Sequence, residues 1–511
     1  MWGDLESELE AASKRRISKH ERYARWISDE NKRRQRRSAA PVNALKVGTP
    51  DYWSLDPRHD PYHVRARRKS IAHSMSKSMR EGTYKPDRPA GYKIEKVGGG
   101  ERLVSAFTIP DEVISRRVFA SLMSKNAAKL SARAYAYRRD LSPHDAIDYI
   151  STEFMQSKRL FVAEFDFSKF FDTVTHDHIN KTLRDLKIRM TDLERKIIDE
   201  FLRCPPAYTN AEEKLEAVGA RKVGFAQGTS LSLFLANIAV APLDRALEKM
   251  GVSFVRYADD TLIWSKDYSQ LCSAVDRLHA ESKFIGSDIN EAKSEGIRLL
   301  VPEGQSNAEM ERTSSVVFLG HKISQGSVRM KATAIEKIQT RVNHLLYTNL
   351  LMEPIGGSQE LGRIGDLDSD YITYLWQLRR YLYGNLSEND LSKYMKHSVA
   401  TIKFKGAMSY FPLVTHQGDL ESLDSWIATR TWLALRKRAS MLKPLVTSCP
   451  DMWDLGRDSL VAYEYYSTSA GEAIDLRLPS VRRISKVIEK AVQTHGISIM
   501  GPKGKVYNYI S

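Results

Sequence analysis

The stretch Phe254-Val255-Arg256-Tyr257-Ala258-Asp259-Asp260-Thr261-Leu262-Ile263-Trp264 places two adjacent carboxylates inside a run that is otherwise apolar, β-branched and aromatic. Such residues favour β-strands, and two Asp between them mark a point of chain reversal. We therefore predict a tight β-hairpin with Asp259 and Asp260 at its tip. Asp is also an ordinary turn residue, so the pair alone does not distinguish a structural turn from a site of chemistry.

A third carboxylate, Asp166, lies in the short apolar run from Leu160 to Phe167. The run predicts a strand that is buried on both faces. Because burying an unpaired carboxylate is costly, Asp166 needs a hydrogen-bonding partner or a metal ion. If this strand neighbours the hairpin, Asp166, Asp259 and Asp260 can together bind two Mg²⁺ ions, which prefer oxygen ligands and catalyse phosphoryl transfer in pairs.

The composition indicates a basic protein of several domains. The chain has 511 residues and a net charge of +15, from 78 Lys plus Arg against 63 Asp plus Glu. This excess favours a nucleic-acid partner, although a basic soluble surface is the alternative. Three dispersed cysteines, Cys204, Cys272 and Cys449, argue against a disulfide framework and fit the cytoplasm. The apolar run from Leu231 to Leu243 is too short to span a membrane, and we expect no membrane association.

Two further segments carry candidate substrate contacts. The alternation from Tyr92 to Val104 around three glycines predicts a hairpin that presents Lys96 and Arg102, either to phosphates or simply to solvent. The residues Gln227 and Gly228 end a long loop and precede a helix, and the glycine permits close backbone approach. Both segments become informative through a family resemblance.

Six short motifs resemble those of reverse transcriptases and occur in the order that this family has. In chain order they are the fingers residues Lys96 and Arg102, the first catalytic motif Asp166-Phe167-Ser168-Lys169-Phe170-Phe171, the substrate-positioning motif Gln227-Gly228 with Ser232, the acidic hairpin Tyr257-Ala258-Asp259-Asp260, the motif Asn290-Glu291-Ala292-Lys293 and the primer grip Phe318-Leu319-Gly320.

The resemblance implies an RNA-directed DNA polymerase with an α+β right-hand fold of fingers, palm and thumb. We place the fingers and palm at residues 86–330 and a helical thumb at residues 331–400. A basic helical extension, residues 1–85, precedes them, and a helical extension, residues 401–511, follows. The order of strands and helices in the middle of the chain independently predicts an α+β core.

The same resemblance assigns roles to individual residues. Asp166 and Asp259 are expected to bind two Mg²⁺ ions with support from Asp260, and Lys293 is expected to protonate the leaving pyrophosphate. Phe171 aligns with the residue that stacks beneath the sugar and excludes a 2′-hydroxyl, with plain core packing as the alternative. The expected contacts to the incoming dNTP are Lys96, Arg102, Phe171, Gln227, Gly228 and Tyr257.

Two basic helical segments are candidates for binding structured RNA, with solvated basic helices as the alternative. The first is the arm at residues 14–37, and the second is the segment at residues 430–438 within a predicted helix at residues 423–442. Tyr507 and Tyr509, near the C-terminus, are candidates for a protein hydroxyl that primes DNA synthesis; the alternative is that they pack. The expected nucleic-acid contacts are Arg33, Arg34, Arg36, Arg37, Gly320, Arg436 and Arg438.

The subgroup is indicated by the residue after the second-motif serine. Retron and group II intron reverse transcriptases usually have Pro there, whereas Ser232 is followed by Leu233. The form Gln-Gly-Thr-Ser-Leu-Ser is more similar to abortive-infection and other defence-associated reverse transcriptases. This resemblance implies antiphage DNA synthesis with a noncoding or template RNA, dNTPs, a DNA product and surfaces for self-association. A retron or intron-like enzyme and a catalytically idle RNA-binding scaffold are the alternatives.

Overall fold

The computed structural model describes residues 4–95, 101–303, 310–397, 402–463, 465–466 and 473–500. Helices and sheets are mixed along these residues, as an α+β fold requires, and the fold class is confirmed. Two large hydrophobic cores hold the described chain together. Buried side chains from Leu5 to Val328 form the first core, and those from Met330 to Met500 form the second. Residues on both sides of position 400 contribute to the second core.

Three helices open the chain: α1 (Leu5–Arg37), α2 (Tyr52–Leu55) and α3 (Pro61–Glu81). The ends of α1 suit the helix dipole, with acidic residues in the first turn and arginines in the last. Leu5 and Leu9 of α1 pack with Val64 of α3 in the first core. The first turns of α1 are therefore part of the first core.

A hairpin and two helices follow: β1 (Ala90–Glu95), β2 (Glu101–Ala106), α4 (Ile109–Asn126) and α5 (Pro143–Met155). The two strands pair antiparallel from Ala90 opposite Ala106 to Glu95 opposite Glu101. This confirms the hairpin that the alternating sequence predicts.

The central part of the chain forms a five-stranded sheet and its covering helices. In chain order these elements are β3 (Leu160–Phe165), α6 (Phe170–Thr173), α7 (His176–Asp185), α8 (Asp192–Arg203), α9 (Ala211–Leu215), α10 (Ser230–Met250), β4 (Ser253–Tyr257), β5 (Asp260–Ser265), α11 (Tyr268–Ile285), β6 (Arg298–Leu300) and β7 (Arg312–Thr313). The strand order is β4-β5-β3-β6-β7, so β3 lies in the middle and next to the hairpin strand β5. Helices α10 and α11 pack against this sheet.

Helix α10 is the apolar core helix of this region. By length and composition it could cross a membrane, but 78% of its most apolar window is buried inside the protein. That burial is what a soluble core helix shows, since its apolar residues already contact other elements. Among the described residues, it is the one helix that is long and apolar enough to cross a membrane.

A small three-stranded sheet connects the two cores: β8 (Val316–Phe318), β9 (His321–Ile323) and β10 (Val328–Met330). The second core is mainly helical and includes a short two-stranded hairpin. Its elements are α12 (Ala332–Leu346), α13 (Met352–Ile355), α14 (Ser369–Tyr383), α15 (Glu388–Met395), α16 (Gln417–Leu442), β11 (Tyr465–Tyr466), β12 (Ala473–Ile474) and α17 (Val481–His495).

The last turn of α1 contacts the second core, although its first turns lie in the first core. The side chain of Arg37 is fully buried and forms an ion pair with Glu353 at 3.1 Å. The Arg37 carbonyl accepts a hydrogen bond from the Glu360 backbone N–H at 2.6 Å. Because α1 has 33 residues, it spans about 50 Å between the two cores.

Candidate active site

The acidic hairpin is a two-residue turn between β4 and β5. Tyr257 pairs with Asp260 as the last residues of the ladder, which leaves Ala258 and Asp259 as the turn. Ala258 has a φ of +61°, a conformation that favours glycine. A positive φ at this position matches the twist of the flanking strands in two-residue hairpins. The predicted hairpin with Asp259 at its tip is therefore confirmed, and its backbone strain lies at Ala258, directly before the acidic pair.

Asp166 lies beside this hairpin because β3 pairs with β5. Phe165 is opposite Thr261, so the next pair in the same register sets Asp166 against Asp260. Residues directly opposite on antiparallel strands have Cβ atoms about 4.5–5.5 Å apart. The adjacency on which the sequence argument depends is thus present in the fold.

The motif around Lys293 surrounds Asp166. The Asn290 backbone N–H donates to the Asp166 carbonyl at 2.8 Å, and the Asp166 N–H donates to the Ser294 hydroxyl at 3.3 Å. Lys293 donates through Nζ to the Asp166 carboxylate at 2.7 Å. This hydrogen bond raises the pKa of Lys293. Lys293 therefore carries a proton beside the carboxylates at neutral pH.

The ionisation of the Asp260 carboxyl group is strongly perturbed by its surroundings. Its side chain reaches solvent, yet many protein atoms surround its carboxylate, and this desolvation raises its pKa to about 7. The charges of Asp259 and Asp166 act in the same direction, whereas Lys293 and Lys331 oppose it. The three acids consequently repel each other, and an added cation would relieve the repulsion.

The three Asp carboxylates fit divalent-metal binding by their chemistry. Among the described residues, however, no group of three or more His, Cys, Asp or Glu side chains is arranged so that it could hold a metal ion. The Lys293 ammonium, whose side chain is 68% exposed, instead neutralises Asp166. Hard cations prefer carboxylate oxygens, so Asp166 and Asp259, supported by Asp260, would hold a divalent metal once Lys293 turns away.

A cleft of about 370 Å³ faces these carboxylates. Its opposite wall is the β8–β9 turn, in which Leu319 and Gly320 have φ values of +45° and +77°. The Gly320 carbonyl accepts from the Lys331 backbone N–H at 2.9 Å, which fixes the turn against the start of α12. The segment that resembles a primer grip therefore lies across the cleft from the acids.

Sequence reasoning missed several residues that line this cleft, among them Glu164 and Lys331. Glu164 lies two positions before Asp166 on β3, and this spacing places both on one face of the sheet. Burial raises the pKa of Glu164 to about 7 despite a 2.6 Å hydrogen bond from Arg298. Lys331 also lines the cleft, and no local pattern in its surroundings separates it from other basic residues.

The substrate-positioning loop is fixed against the fingers hairpin. Ser105 of β2 donates its backbone N–H to the Gln227 carbonyl at 2.8 Å. Gly228 has a φ of +130°, and a Cβ there would overlap the Ser105 carbonyl oxygen. The side-chain Oε1 of Gln227 is buried and has no hydrogen-bond partner within the described part of the chain. Gly228 is therefore required sterically, and Gln227 retains an acceptor for a ligand.

Phe171 and Tyr257 are both buried. The Phe171 ring packs against Phe170 and Phe225 with centroid distances of 5.7 and 5.4 Å. Its carbonyl accepts from the Phe225 backbone N–H at 2.8 Å, which ties the residue to the loop that leads to Gln227. Core packing is thus observed for Phe171, and its contact with the sugar stays a prediction.

The predicted nucleic-acid residues divide into buried and accessible ones. Arg37 and Arg438 are fully buried in ion pairs with Glu353 and with Asp368, so these two expectations are corrected. Their partners lie far away in sequence, and the basic runs around both arginines hide that pairing.

The other predicted arginines remain at least partly accessible. Arg33 is half-buried and bound to Glu30 and Asn349, and Arg34 donates to the Asn43 carbonyl at 3.3 Å. Arg436 lies over the Trp432 ring at 5.7 Å, and Arg36 is exposed. These contacts are all within the protein, and RNA binding by these arginines stays a prediction.

Three of the predicted residues, and the side chain of a fourth, lie outside the part of the chain that the structure describes. Lys96, Tyr507 and Tyr509 are outside the described residues. Arg102 lies in β2 opposite Ile94, and its side chain is also outside them.

Comparison with known proteins identifies the central domain. Residues 94–323 match the protein-family model described as reverse transcriptase (RNA-dependent DNA polymerase). This range includes the acidic hairpin, Asp166, the Gln227-Gly228 loop and Lys293. No curated protein matches the chain.

Telomerases are among the similar solved structures. Apo telomerase from Candida tropicalis is 11% identical with a TM-score of 0.40, covering 86% of this chain and 68% of that one. Telomerase from Candida albicans with a fragment of telomeric RNA is 12% identical with a TM-score of 0.37, covering 74% and 64%. A C-terminally truncated Candida tropicalis telomerase is 12% identical with a TM-score of 0.36, covering 50% and 59%.

Similarities this weak carry no functional argument, and in the last two the match spans less than two thirds of the telomerase chain. The assignment rests on the family match and on the arrangement of Asp166, Asp260 and Lys293 around one cleft, with Asp259 in the adjoining hairpin turn. Residues 94–323 therefore form a reverse transcriptase domain, of the family described as RNA-dependent DNA polymerase.

Proposed function

We propose that this protein copies an RNA into DNA in the cytoplasm as part of antiphage defence, adding dNTPs to the 3′-hydroxyl of a nucleic acid or to a protein hydroxyl. The observation that carries the enzymatic part is the register that sets Asp166 against Asp260, next to Asp259 and with Lys293 at 2.7 Å. An idle relative has no need to retain this set.

The chemistry needs positioning and charge neutralisation more than covalent participation by the protein. Two divalent metal ions, when bound, would lower the pKa of the attacking 3′-hydroxyl and neutralise the charge of the triphosphate. Asp166 and Asp259 would hold these ions with Asp260, and Mg²⁺ suits their oxygen ligands. Lys293 holds a protonated Nζ 2.7 Å from the Asp166 carboxylate, and from this place it would donate its proton to the departing pyrophosphate.

The substrate is proposed to be a deoxynucleoside triphosphate. Phe171 is anchored to the loop before Gln227, and a bulky ring beneath the sugar would exclude a 2′-hydroxyl. Gln227 and Gly228 would contact the nucleotide, as would Tyr257, which pairs with Asp260 in the hairpin. Lys96 and Arg102 are proposed to bind the triphosphate on the strength of the family resemblance.

The defence role rests on sequence features. Leu233 follows Ser232 where retron and intron enzymes usually have Pro. Long extensions on both sides of the catalytic domain offer surfaces for an associated noncoding RNA, and Tyr507 and Tyr509 offer hydroxyls for priming. These features support a defence-associated enzyme over a retron or mobile-intron enzyme.

Primer extension with Mg²⁺ tests the activity. The wild type should extend an RNA-templated primer with dNTPs, and Asp259→Ala should not; absence of incorporation on every template, including the copurified RNA, would leave only a binding role. Sequencing the nucleic acids that copurify with the protein tests the RNA partner. Mass spectrometry after incubation with dNTPs tests priming, because a nucleotide must then be attached at Tyr507 or Tyr509.

A further inference from the structure

A strongly basic groove lies between α1, α4 and the first residues of α10. Its volume is about 630 Å³, and Gly228, Thr229 and Ser230 form one end of it. Glu112 is the one carboxylate among its lining residues. The cationic lining residues are Lys14, Arg15, Arg16, Lys19, Arg22, Arg25 and Arg116.

Two of these positive charges form ion pairs within the described part of the chain. Arg16 forms an ion pair with Glu112, and Lys14 forms one with Glu10 at 2.8 Å. Burial and the neighbouring arginines Arg22 and Arg16 lower the pKa of Lys19. Like charges are therefore crowded along one face of α1, and a polyanion would reduce their repulsion.

An aromatic pocket of about 420 Å³ adjoins the groove and shares Arg16 and Lys19 with it. His20, Tyr23, Tyr52 and Trp53 contribute its rings, and the His20 and Trp53 centroids are 5.4 Å apart. Tyr23 is 42% exposed. His20 Nε2 is buried without a hydrogen-bond partner in the described part of the protein. Exposed rings beside cations are the features with which proteins bind unpaired bases.

The groove leads to the catalytic domain. Gly228 and Thr229 directly follow Gln227, whose carbonyl is held by Ser105 of β2 at 2.8 Å. Thr229 also caps α10 by accepting from the Ser232 backbone N–H at 3.1 Å. A ligand in the groove therefore ends at the loop that is proposed to position the substrate.

We propose that this groove and its aromatic pocket bind the unpaired template strand just before it enters the active site. Phosphates lie against the cationic face of α1, and a base enters between His20, Tyr23 and Trp53. The inference rests on the proposed template-directed function, and it names where the template runs.

The dimensions favour a single strand over other polyanions. From Lys14 to Arg25 the helix rises about 16 Å, enough for about five phosphates at the stacked spacing of about 3.4 Å. A triphosphate is too short to engage the whole row. In a duplex the bases are paired and stacked inward, so they cannot enter an aromatic pocket.

The test compares primer–template duplexes that carry a 5′ template overhang of one or ten nucleotides, with RNA and with DNA templates. Fluorescence anisotropy without dNTPs measures binding, so the result does not depend on catalysis. The wild type should bind the long overhang more tightly, for both templates, because phosphates and stacking are common to them. Equal affinity for the two overhangs would overturn the proposal.

Neutralising one face of α1 tests the phosphate contacts. The triple variant Arg15→Gln, Lys19→Gln, Arg22→Gln should lose the gain from the long overhang. The slope of log affinity against log salt should fall by about 2, since each contact to a single strand contributes about 0.7. The matched control Arg65→Gln, Arg67→Gln, Lys69→Gln removes the same charges from exposed positions of α3 outside the groove.

The control should keep the overhang-dependent gain. If both triple variants lose the gain equally, general surface charge explains binding and the proposal is wrong. If the α1 variant loses affinity for both overhangs by the same factor, the groove holds duplex instead, which also contradicts it. Circular dichroism checks that both variants are folded.

Tyr23 tests the base contact. Tyr23→Ala should weaken binding of the long overhang about fivefold or more, whereas Tyr23→Phe should not. An overhang of abasic nucleotides should bind wild type and Tyr23→Ala equally. A loss in Tyr23→Ala that persists on the abasic overhang would exclude stacking. Absence of nucleotide addition in a separate extension assay would refute the polymerase proposal. The binding results would still decide whether the groove binds an unpaired strand, because they do not depend on catalysis.

Discussion

Two clusters of acidic residues differ in the cation that neutralises them. A buried arginine neutralises the cluster in the second core, whereas an exposed lysine lies beside the cluster at the catalytic cleft. In the second core, Arg438 donates to Asp368 at 2.6 Å and to Asp370 at 3.1 Å, and all three side chains are fully buried. Asp368 also accepts from Trp453 Nε1 at 2.9 Å. At the catalytic cleft, the exposed ammonium of Lys293 acts on Asp166, Asp259 and Asp260, and the more distant charge of Lys331 acts on Asp260.

The difference shows which acids are structural and which are held for a ligand. Burial raises the pKa of Asp370 as well as that of Asp260, so a raised pKa does not separate the two clusters. The two clusters differ instead in the number of hydrogen-bond donors that are fixed around their carboxylates. A rigid guanidinium that bonds both acids leaves little capacity for another cation, whereas a flexible lysine can leave. Substitutions in the two clusters should therefore affect different properties.

The largest expected effect is on catalysis in the cleft. Asp259→Asn should reduce DNA synthesis about 10³-fold, because charge stabilisation worth several kcal/mol is lost. Its melting temperature should stay the same or rise, since one of three repelling carboxylates is gone. Primer extension and thermal melting measure the two quantities. A clear loss of stability would place Asp259 with the structural acids.

In the second core, removing the cation should affect stability first. Arg438→Met should destabilise the fold by about 3–5 kcal/mol, because Asp368 and Asp370 would be left buried without their cation. Urea unfolding followed by circular dichroism measures this. The control Arg436→Met lies on the same helix at a partly exposed position and should change stability by about 0.5 kcal/mol or less. Equal stability of the two variants would contradict the contrast between the clusters.

Lys293 should contribute to rate and not to folding. Lys293→Ala should lower the rate of nucleotide addition on the order of 10²-fold, the range for loss of a general acid. Lys331→Ala, which removes a cation that acts on Asp260 without bonding Asp166, should have a smaller effect. Single-turnover kinetics at several pH values separate the two. An equal loss in both variants would indicate that only net charge matters.

The smallest effect is a pH dependence of thermal stability. Because folding raises the pKa of Asp260 to about 7, the folded state binds more protons than the unfolded state between pH 4 and 7. The Asp260 contribution to stability is therefore present at low pH and is lost as the pH rises through 7. Added Mg²⁺ should then raise the melting temperature more at pH 8 than at pH 6.

Asp260→Asn should reduce this difference between the two pH values. A metal-induced shift that is independent of pH in the wild type would show that Asp260 does not titrate in this range.

The local features of the site could be predicted from the sequence because they depend on neighbouring residues. The strand-forming residues on both sides of Asp259 and Asp260 specify the hairpin, and the apolar run before Asp166 specifies a buried strand. Their pairing required the family resemblance, since strand adjacency is not encoded locally. Glu164 could have been found from its two-residue spacing to Asp166.

Long-range pairing could not be predicted. Arg438 and Arg37 lie in basic runs that are typical of solvated helices, yet each meets carboxylates that are distant in sequence. Burial of a charge depends on where those partners arrive in the fold, and composition does not reveal it. Lys331 was missed for the same reason, because its nearness to Asp260 arises from the turn that connects the two cores.

Helix α1 has a consequence for how the chain can be shortened. Its first turns supply Leu5 and Leu9 to one core, and its last residue supplies the cation for Glu353 in the other. A chain that begins after Arg37 would therefore carry two faults about 50 Å apart, an exposed apolar face on α3 and a buried acid without its partner. In sequence the segment is typical of a basic helical arm, but in the folded protein it contacts both cores and connects them.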